Sequence, residues 1–175
     1  ALFHDVGKVD TVTLDENGIG HFYGHDSVSE EITKSVLKRL RYSNEIIELT
    51  SQLVRYHMIQ ANVIGKKGIQ KLLRIFGENN IFELADLHFA DSSCTTMEVK
   101  EDVFRLKIRQ VLEENIPFSV KDLDIDGYDL MNIGAKGKQI GDILNELLEL
   151  VSEDASKNNK NQLMLYAKEI YSNLE

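Results

Sequence analysis

The sequence predicts an all-α fold, a helical core over 1–115 that opens on a short loop or hairpin, followed by a smaller helical tail over 116–175. Three observations predict it. Pro117 is the only proline in 175 residues, and proline is the residue that breaks helices most strongly. Leu, Ile, Lys and Glu are abundant, a composition that favours helix over sheet. Apolar residues also recur at three- and four-residue spacing through most of the chain, the period of a half-buried helix.

Ala1-Leu2-Phe3 runs into Gly7 and reads as the last turn of a helix closed by a glycine cap. One turn cannot stand alone because nucleation is costly, so the chain reads as a piece of a longer one. Residues 9–23 are β-branched and rich in turn formers around Asn17-Gly18, a loop or small hairpin. Ser27 with Glu30 has the spacing of a capping box, and Val28, Ile32, Val36, Leu37 and Leu40 would face inward from that helix. Ser43 can cap the next, with Ile46, Ile47, Leu53 and Val54 turned to the core. Further helices are expected over 68–77, ending on Gly77, and over 79–92 and 97–115. Pro117, Gly127, Gly134 and Gly137 break the pattern between 116 and 139, leaving room for a short helix around Tyr128–Ile133. The clearest helix carries Ile140, Ile143, Leu144, Leu147, Leu148 and Val151 on one face. A polar linker then leads to a last helix over 161–172. The terminal Leu174-Glu175 carries no weight.

Composition excludes several classes. No apolar run approaches the ~20 residues needed to cross a bilayer, and nothing resembles a secretory signal. Cys94 is the single cysteine, so no internal disulfide can form, which fits a reducing cytoplasm. The net charge is −9, yet its distribution is uneven. Residues 34–74 hold nine Lys or Arg against two acids, net +7, between a net −6 before and a net −10 after. A positive segment in an acidic chain can attract phosphate; it can equally be a solvated face that neutralises acidic neighbours. Its candidate nucleic-acid contacts are Lys38, Arg39, Arg41, Arg55, Lys66 and Lys67.

The residues able to do chemistry are histidines and aspartates. His4-Asp5 lies at the end of the opening turn, where the helix dipole disfavours a carboxylate by roughly 0.3–1 kcal/mol. A bound cation would reverse that sign, and Lys8 is the ordinary alternative partner. His21 and His25 are four apart, but the loop-to-helix change between them need not place them on one face. His57 falls on the core side of its helix, where a packing role competes with ligation. Asp91 comes after Leu84, Leu87 and Ala90, and a carboxylate on such a stretch needs a cation or several donors. His88 reads as an exposed or structural residue.

The order His-Asp, His, His, Asp, all on or beside helices, resembles the HD superfamily. ALFHDVGKVDT resembles its signature segment, and GIGHFYGHDSVSEEI with LKRLRYSNEIIELTSQLVRYHM resembles the matching stretch of bacterial tRNA nucleotidyltransferases and their poly(A)-polymerase relatives. LADLHFADSS resembles the segment carrying the last metal aspartate. KDLDIDGYDLMNIGAKGKQIGDILNELLELV and NNKNQL resemble the region C-terminal to the helical core in those proteins, so the resemblance covers nearly the whole chain.

It implies an HD-domain helical bundle with a tail that contacts RNA, and a divalent metal held by His4, Asp5 and Asp91. It further implies His25 and His57 as additional ligands or catalytic phosphate contacts, with Lys8 beside the substrate phosphate. Mixed imidazole and carboxylate donors suit Mg, Mn, Ni, Fe or Zn without choosing among them. The chemistry implied is metal-assisted attack of water on phosphorus, with His25 or His57 orienting the phosphate or protonating the leaving oxygen. The family's metal set includes an upstream histidine that falls before residue 1, so a weakened or empty site is expected. Ser29-Glu30 replaces the usual Gly-Ala, and Gly137-Lys138 replaces the usual Gly-Pro.

Nucleotidyl transfer is not expected of this polypeptide alone. That chemistry needs paired carboxylates on a strand beside a Gly-Ser turn. Asp124-Ile125-Asp126 is the nearest spacing, and it reads as loop and cap. Three functions remain open: a phosphohydrolase module serving tRNA or RNA 3′-end processing, an independent phosphohydrolase of nucleotides, and a non-catalytic RNA scaffold. The partners implied are tRNA or other RNA, or phosphorylated nucleotides, with no membrane; oligomeric state is not legible.

Overall fold

A computed structural model of the chain describes residues 1–94 and 102–173. Among these residues there are eight α-helices and one two-stranded hairpin: α1 Lys8–Thr11, β1 Thr13–Leu14, β2 Gly20–His21, α2 His25–Arg39, α3 Asn44–Tyr56, α4 Lys66–Ser93, α5 Val103–Glu113, α6 Gly127–Asn132, α7 Lys138–Glu153 and α8 Lys160–Asn173. The mostly helical class is therefore as expected. Of the helix predicted over 97–115, residues 97–101 lie outside the described residues, as does Leu174-Glu175. No described helix is long and apolar enough to cross a membrane.

The chain divides into two compact units, residues 1–64 with 76–106, and residues 65–75 with 107–175. In the first unit the hairpin forms around the predicted turn. β1 and β2 pair antiparallel with Thr13 opposite His21, Gly18 takes φ +76°, and the Asp15 carboxylate accepts from the backbone N–H of Asn17 and Ile19.

α2 differs from expectation at its start and on its face. It begins at His25, with Gly24 at φ +75° as its N-cap and no side-chain cap. Ser27 and Glu30 therefore form no capping box; Glu30 instead holds Lys34 and Arg55. The buried positions are His25, Ser29, Thr33 and Leu37, while Leu40 is 57 % exposed. Residues four apart line this seam, and small hydroxyl side chains let the backbones of neighbouring elements come close. Their polarity is satisfied within the seam: Thr33 Oγ1 donates to the Ser29 carbonyl, and Ser29 Oγ accepts from the Gly7 N–H at 2.9 Å.

Ser43 caps α3 as predicted, accepting from the Ile46 N–H. Val54 is buried on that helix, but Ile46 is exposed. α2 packs against α3 and against α1. Ile81, Leu84, Ala85 and Phe104 are also buried in this unit.

Gly77 breaks α4 with φ +72° and ψ +170°, at the position where the sequence placed a helix end. In the second unit the apolar face of α7 buries Ile143, Leu147, Leu148 and Val151 against Leu130 and Leu163. Asp126 caps α6 by accepting from the N–H groups of Tyr128 and Asp129, and the Asp129 carboxylate accepts in return from the Asp126 N–H. Asp126 is thus a cap, as its spacing indicated. Asp126→Ala removes an acceptor shared by two helix-end donors, an expected loss of about 1–2 kcal/mol by urea denaturation, and Asp126→Asn should retain most of the stability.

A candidate metal centre

The site is assembled by three local structures of the first unit. The turns over residues 2–7 present His4 and Asp5, Gly24 swings the chain so that His25 opens α2, and the end of α3 presents His57. These turns precede α1, and Gly7 has φ −77° as the N-cap of that helix. It is therefore not the left-handed helix end that the sequence indicated. Its bare Cα is needed for proximity: a Cβ there would lie 2.6 Å from the His25 carbonyl oxygen and 2.7 Å from the Ser29 nitrogen. That close approach brings Asp5 against the start of α2.

Asp5, His25 and His57 offer ligand atoms that all lie within 4.8 Å of one another. Asp5 Oδ1 is 3.3 Å from His25 Nε2 and 3.6 Å from His57 Nε2, and the two Nε2 atoms are 3.3 Å apart. His4 joins through Asp5 Oδ2, 3.4 Å from its Nε2, and it contacts Asp91 Oδ1 at 3.2 Å. All three imidazoles are oriented alike. His25 Nδ1 donates to the Phe22 carbonyl, His57 Nδ1 to the Val54 carbonyl and His4 Nδ1 to the Ala1 carbonyl. A carbonyl only accepts, so each Nδ1 carries a proton, and each neutral ring turns its Nε2 lone pair into the site.

The consequence is electrostatic. Lys8 donates to Asp5 Oδ2, but around Asp5 Oδ1 the two Nε2 lone pairs and the carboxylate oxygen face one another with no donor between them unless an imidazole takes a second proton. A cation satisfies the same set without it. Backbone acceptors that fix the tautomer and aim the other nitrogen are the usual support of metal-ligating histidines.

Burial pushes the His57 pKa down, and His4 and His25 nearby add to the effect, outweighing the Val54 carbonyl and Asp5. The neutral, ligating form is therefore favoured. Burial pushes the Asp5 carboxyl up, but the Lys8 hydrogen bond, with His4, Lys8 and His57 charges adding, holds it below the usual range. Lys8 Nζ donates to Asp5 Oδ2 at 2.6 Å and sits 5.6 Å from the centre of the Phe22 ring. The donor set of two imidazoles and a carboxylate fits a divalent transition ion.

His21 and His88 stand apart from this group. His21 Nε2 faces Asp15 Oδ2 at 3.2 Å, and its ring stacks on Tyr23. His88 meets Phe104 edge-on. His25 and His57 are 32 positions apart, and nothing in local spacing marks them as a pair.

Three of the six candidate nucleic-acid contacts are held in ion pairs: Arg55 with Asp26 and Glu30, Lys66 with Glu114, and Lys67 with Glu153 at 2.8 Å. Lys38, Arg39 and Arg41 are exposed and form no ion pair with the described residues.

Fold and site together define a helical domain with a buried-histidine and carboxylate cluster suited to a metal ion. Comparison with known proteins is more specific. The tRNA nucleotidyltransferase domain 2 family matches residues 15–167. The chain belongs to that family. A CC-adding tRNA nucleotidyltransferase of Thermus thermophilus is 31% identical over 160 residues, covering 87% of this chain and 35% of that protein. An A-adding tRNA nucleotidyltransferase of Deinococcus radiodurans is 40% identical over 60 residues, 34% of this chain and 14% of that protein. The chain thus spans about a third or less of the curated relatives it matches. No solved structure gives a significant match. The family match begins after His4, Asp5 and Lys8, so the opening of the site rests on the structure and the sequence alone.

Proposed function

We propose that this chain is a divalent-metal-dependent phosphohydrolase or phosphodiesterase module of the HD type, serving tRNA or RNA 3′-end processing in a nucleotidyltransferase-related protein. The observation that carries the reading is the convergence of the His25 and His57 Nε2 lone pairs on Asp5 Oδ1, with both tautomers fixed by backbone carbonyls. The relatives' names supply the tRNA context. A cytoplasmic location belongs to the same proposal.

Asp5, His25 and His57 would hold the ion (Mg, Mn, Ni, Fe or Zn), and His4 with Asp91 would extend the set. Bound there, such an ion supplies Lewis acidity toward the phosphoryl oxygens and toward water. The protein's own contribution is positional. The two buried imidazoles cannot swing away, because each is tied to a carbonyl through Nδ1. Lys8 keeps a partly exposed ammonium beside Asp5, where it can meet a substrate phosphate.

The test is hydrolysis of a nucleoside 2′,3′-cyclic phosphate and of a simple aryl phosphodiester, with Mn²⁺ or Ni²⁺ added and with EDTA. Turnover that needs the metal is expected. Absence of both ion binding and turnover would sink the reading. Lys8→Ala should raise KM about tenfold with a smaller change in kcat, since it removes one charge-assisted contact to phosphate; an unchanged KM would remove Lys8 from the substrate.

A further inference from the structure

The basic segment of this acidic chain is mostly neutralised in place. Lys34 pairs with Glu30, Arg55 with Asp26, Lys66 with Glu114, Lys67 with Glu153 and Arg74 with Glu149. The corner where α2 turns into α3 is different. Lys38, Arg39 and Arg41 are exposed there, and none forms an ion pair with the described residues. Three cations within four positions repel one another; Lys38 and Arg39 lie in the last turn of α2, whose carbonyl end offsets part of that repulsion, and no described acid neutralises the rest.

The same corner exposes apolar surface. Leu40 is 57 % exposed, Tyr42 49 % and Ile46 46 %, although the hydrophobic pattern would have turned Leu40 and Ile46 inward. Arg41 holds φ +60°, a left-handed conformation that a non-glycine residue adopts only at a cost. The turn is fixed by Arg41 N–H donating to the Lys38 carbonyl and Tyr42 N–H donating to the Leu37 carbonyl. The backbone is thereby locked with guanidinium, ammonium and phenol groups all on a short exposed bend.

We infer that the α2–α3 corner is an RNA-binding surface: Lys38, Arg39 and Arg41 engage successive phosphates of a single strand, and Tyr42 stacks on an unpaired base. Phosphates match the unneutralised charge, and an aromatic beside a cationic track is how single strands are held without sequence preference. A peptide carrying acids would meet the charges but has no need of the ring. The corner lies at the far end of the helix that begins with His25, about 21 Å away along the axis at 1.5 Å per residue. A strand seated there is anchored away from the histidine cluster while its end is free to approach it. The inference rests on the RNA-partner half of the proposed function and not on hydrolysis.

The test is binding of a fluorescent single-stranded RNA and of a tRNA transcript to the whole chain, by anisotropy in EDTA across a salt series. Changing Lys38 and Arg39 to Gln and Arg41 to Asn, which tolerates the left-handed backbone, should weaken binding at least tenfold. It should also lower the slope of log affinity against log salt by about two, roughly 0.7 per lost phosphate contact on a single strand. Tyr42→Ala should weaken binding about fivefold or more, and Tyr42→Phe should restore it to within about twofold. Lys67→Gln, which removes an already paired cation, should change affinity less than about threefold. Wild-type chain that binds neither RNA, a triple variant that keeps its affinity and slope, or a Tyr42→Ala variant as tight as wild type would each overturn the assignment. The last outcome with a weakened triple variant would point to an acidic protein partner instead. Phosphoesterase activity, measured separately on small substrates, stands or falls independently.

Discussion

Asp5→Ala is expected to abolish divalent-ion binding and, with it, phosphoester hydrolysis. Asp5 is the hub of the cluster: Oδ1 faces His25 and His57, while Oδ2 faces His4 and accepts from Lys8. Losing it removes the only carboxylate in the three-residue group and leaves neutral imidazoles with an uncompensated Lys8 ammonium close by. Partners that merely support ligands cost 10–100-fold in metal affinity when removed, so loss of a ligand should exceed about 100-fold for Mn²⁺ or Ni²⁺ by calorimetry. The fold should survive, because the Asp5 side chain is partly exposed. His21→Ala is the matching control. His21 pairs with Asp15 outside the cluster, and its replacement should leave ion affinity within about twofold. If Asp5→Ala binds the ion as well as wild type, the site is elsewhere or does not exist.

Gly7→Ala is the second large effect, and it reports on structure. The added methyl would lie 2.6 Å from the His25 carbonyl oxygen, 2.7 Å from the Ser29 nitrogen and 2.9 Å from Ser29 Oγ. Two of those atoms are backbone in the first turns of α2 and cannot rotate away, so the opening segment must move as a body. Overpacking of this kind costs about 1–3 kcal/mol and sometimes more; with the Gly7 N–H to Ser29 bond also broken, about 3 kcal/mol or more is expected in urea denaturation. Ion affinity should fall in parallel, because Asp5 is carried away from His25. Gly65→Ala, which meets no atom within 4 Å, should cost little. Stability of Gly7→Ala within about 0.5 kcal/mol of wild type would mean that the approach is looser than the structure places it.

Much of the architecture was legible because helix formation is signalled locally. The apolar stripe of α7, the Ser43 cap, the break at Gly77 and the Asn17-Gly18 turn all rest on residues a few positions apart, and the structure has each of them. Where the structure departs from local preference, a neighbouring element overrides it. The Ser27–Glu30 spacing looked like a cap, but Gly24 already starts the helix and Glu30 is drawn to Arg55 on α3. Leu40 looked like core, but the seam of α2 runs along Ser29, Thr33 and Leu37. Gly7 looked like a left-handed helix end, whereas it is a point of close backbone approach.

By itself the sequence determined the helical class, most element positions, and a set of histidines and aspartates able to hold an ion, since residue type and short-range periodicity are written along the chain. Only the tertiary structure decided that His57 joins His25 on Asp5, that His21 and His88 do not, and that Lys38, Arg39 and Arg41 are left without ion pairs among the described residues while Arg55, Lys66 and Lys67 are paired. The reason is physical. Which distant side chains meet depends on how α2, α3 and the opening turns pack, and that is set by the summed fit of many small contacts, none of which leaves a periodic trace in the sequence.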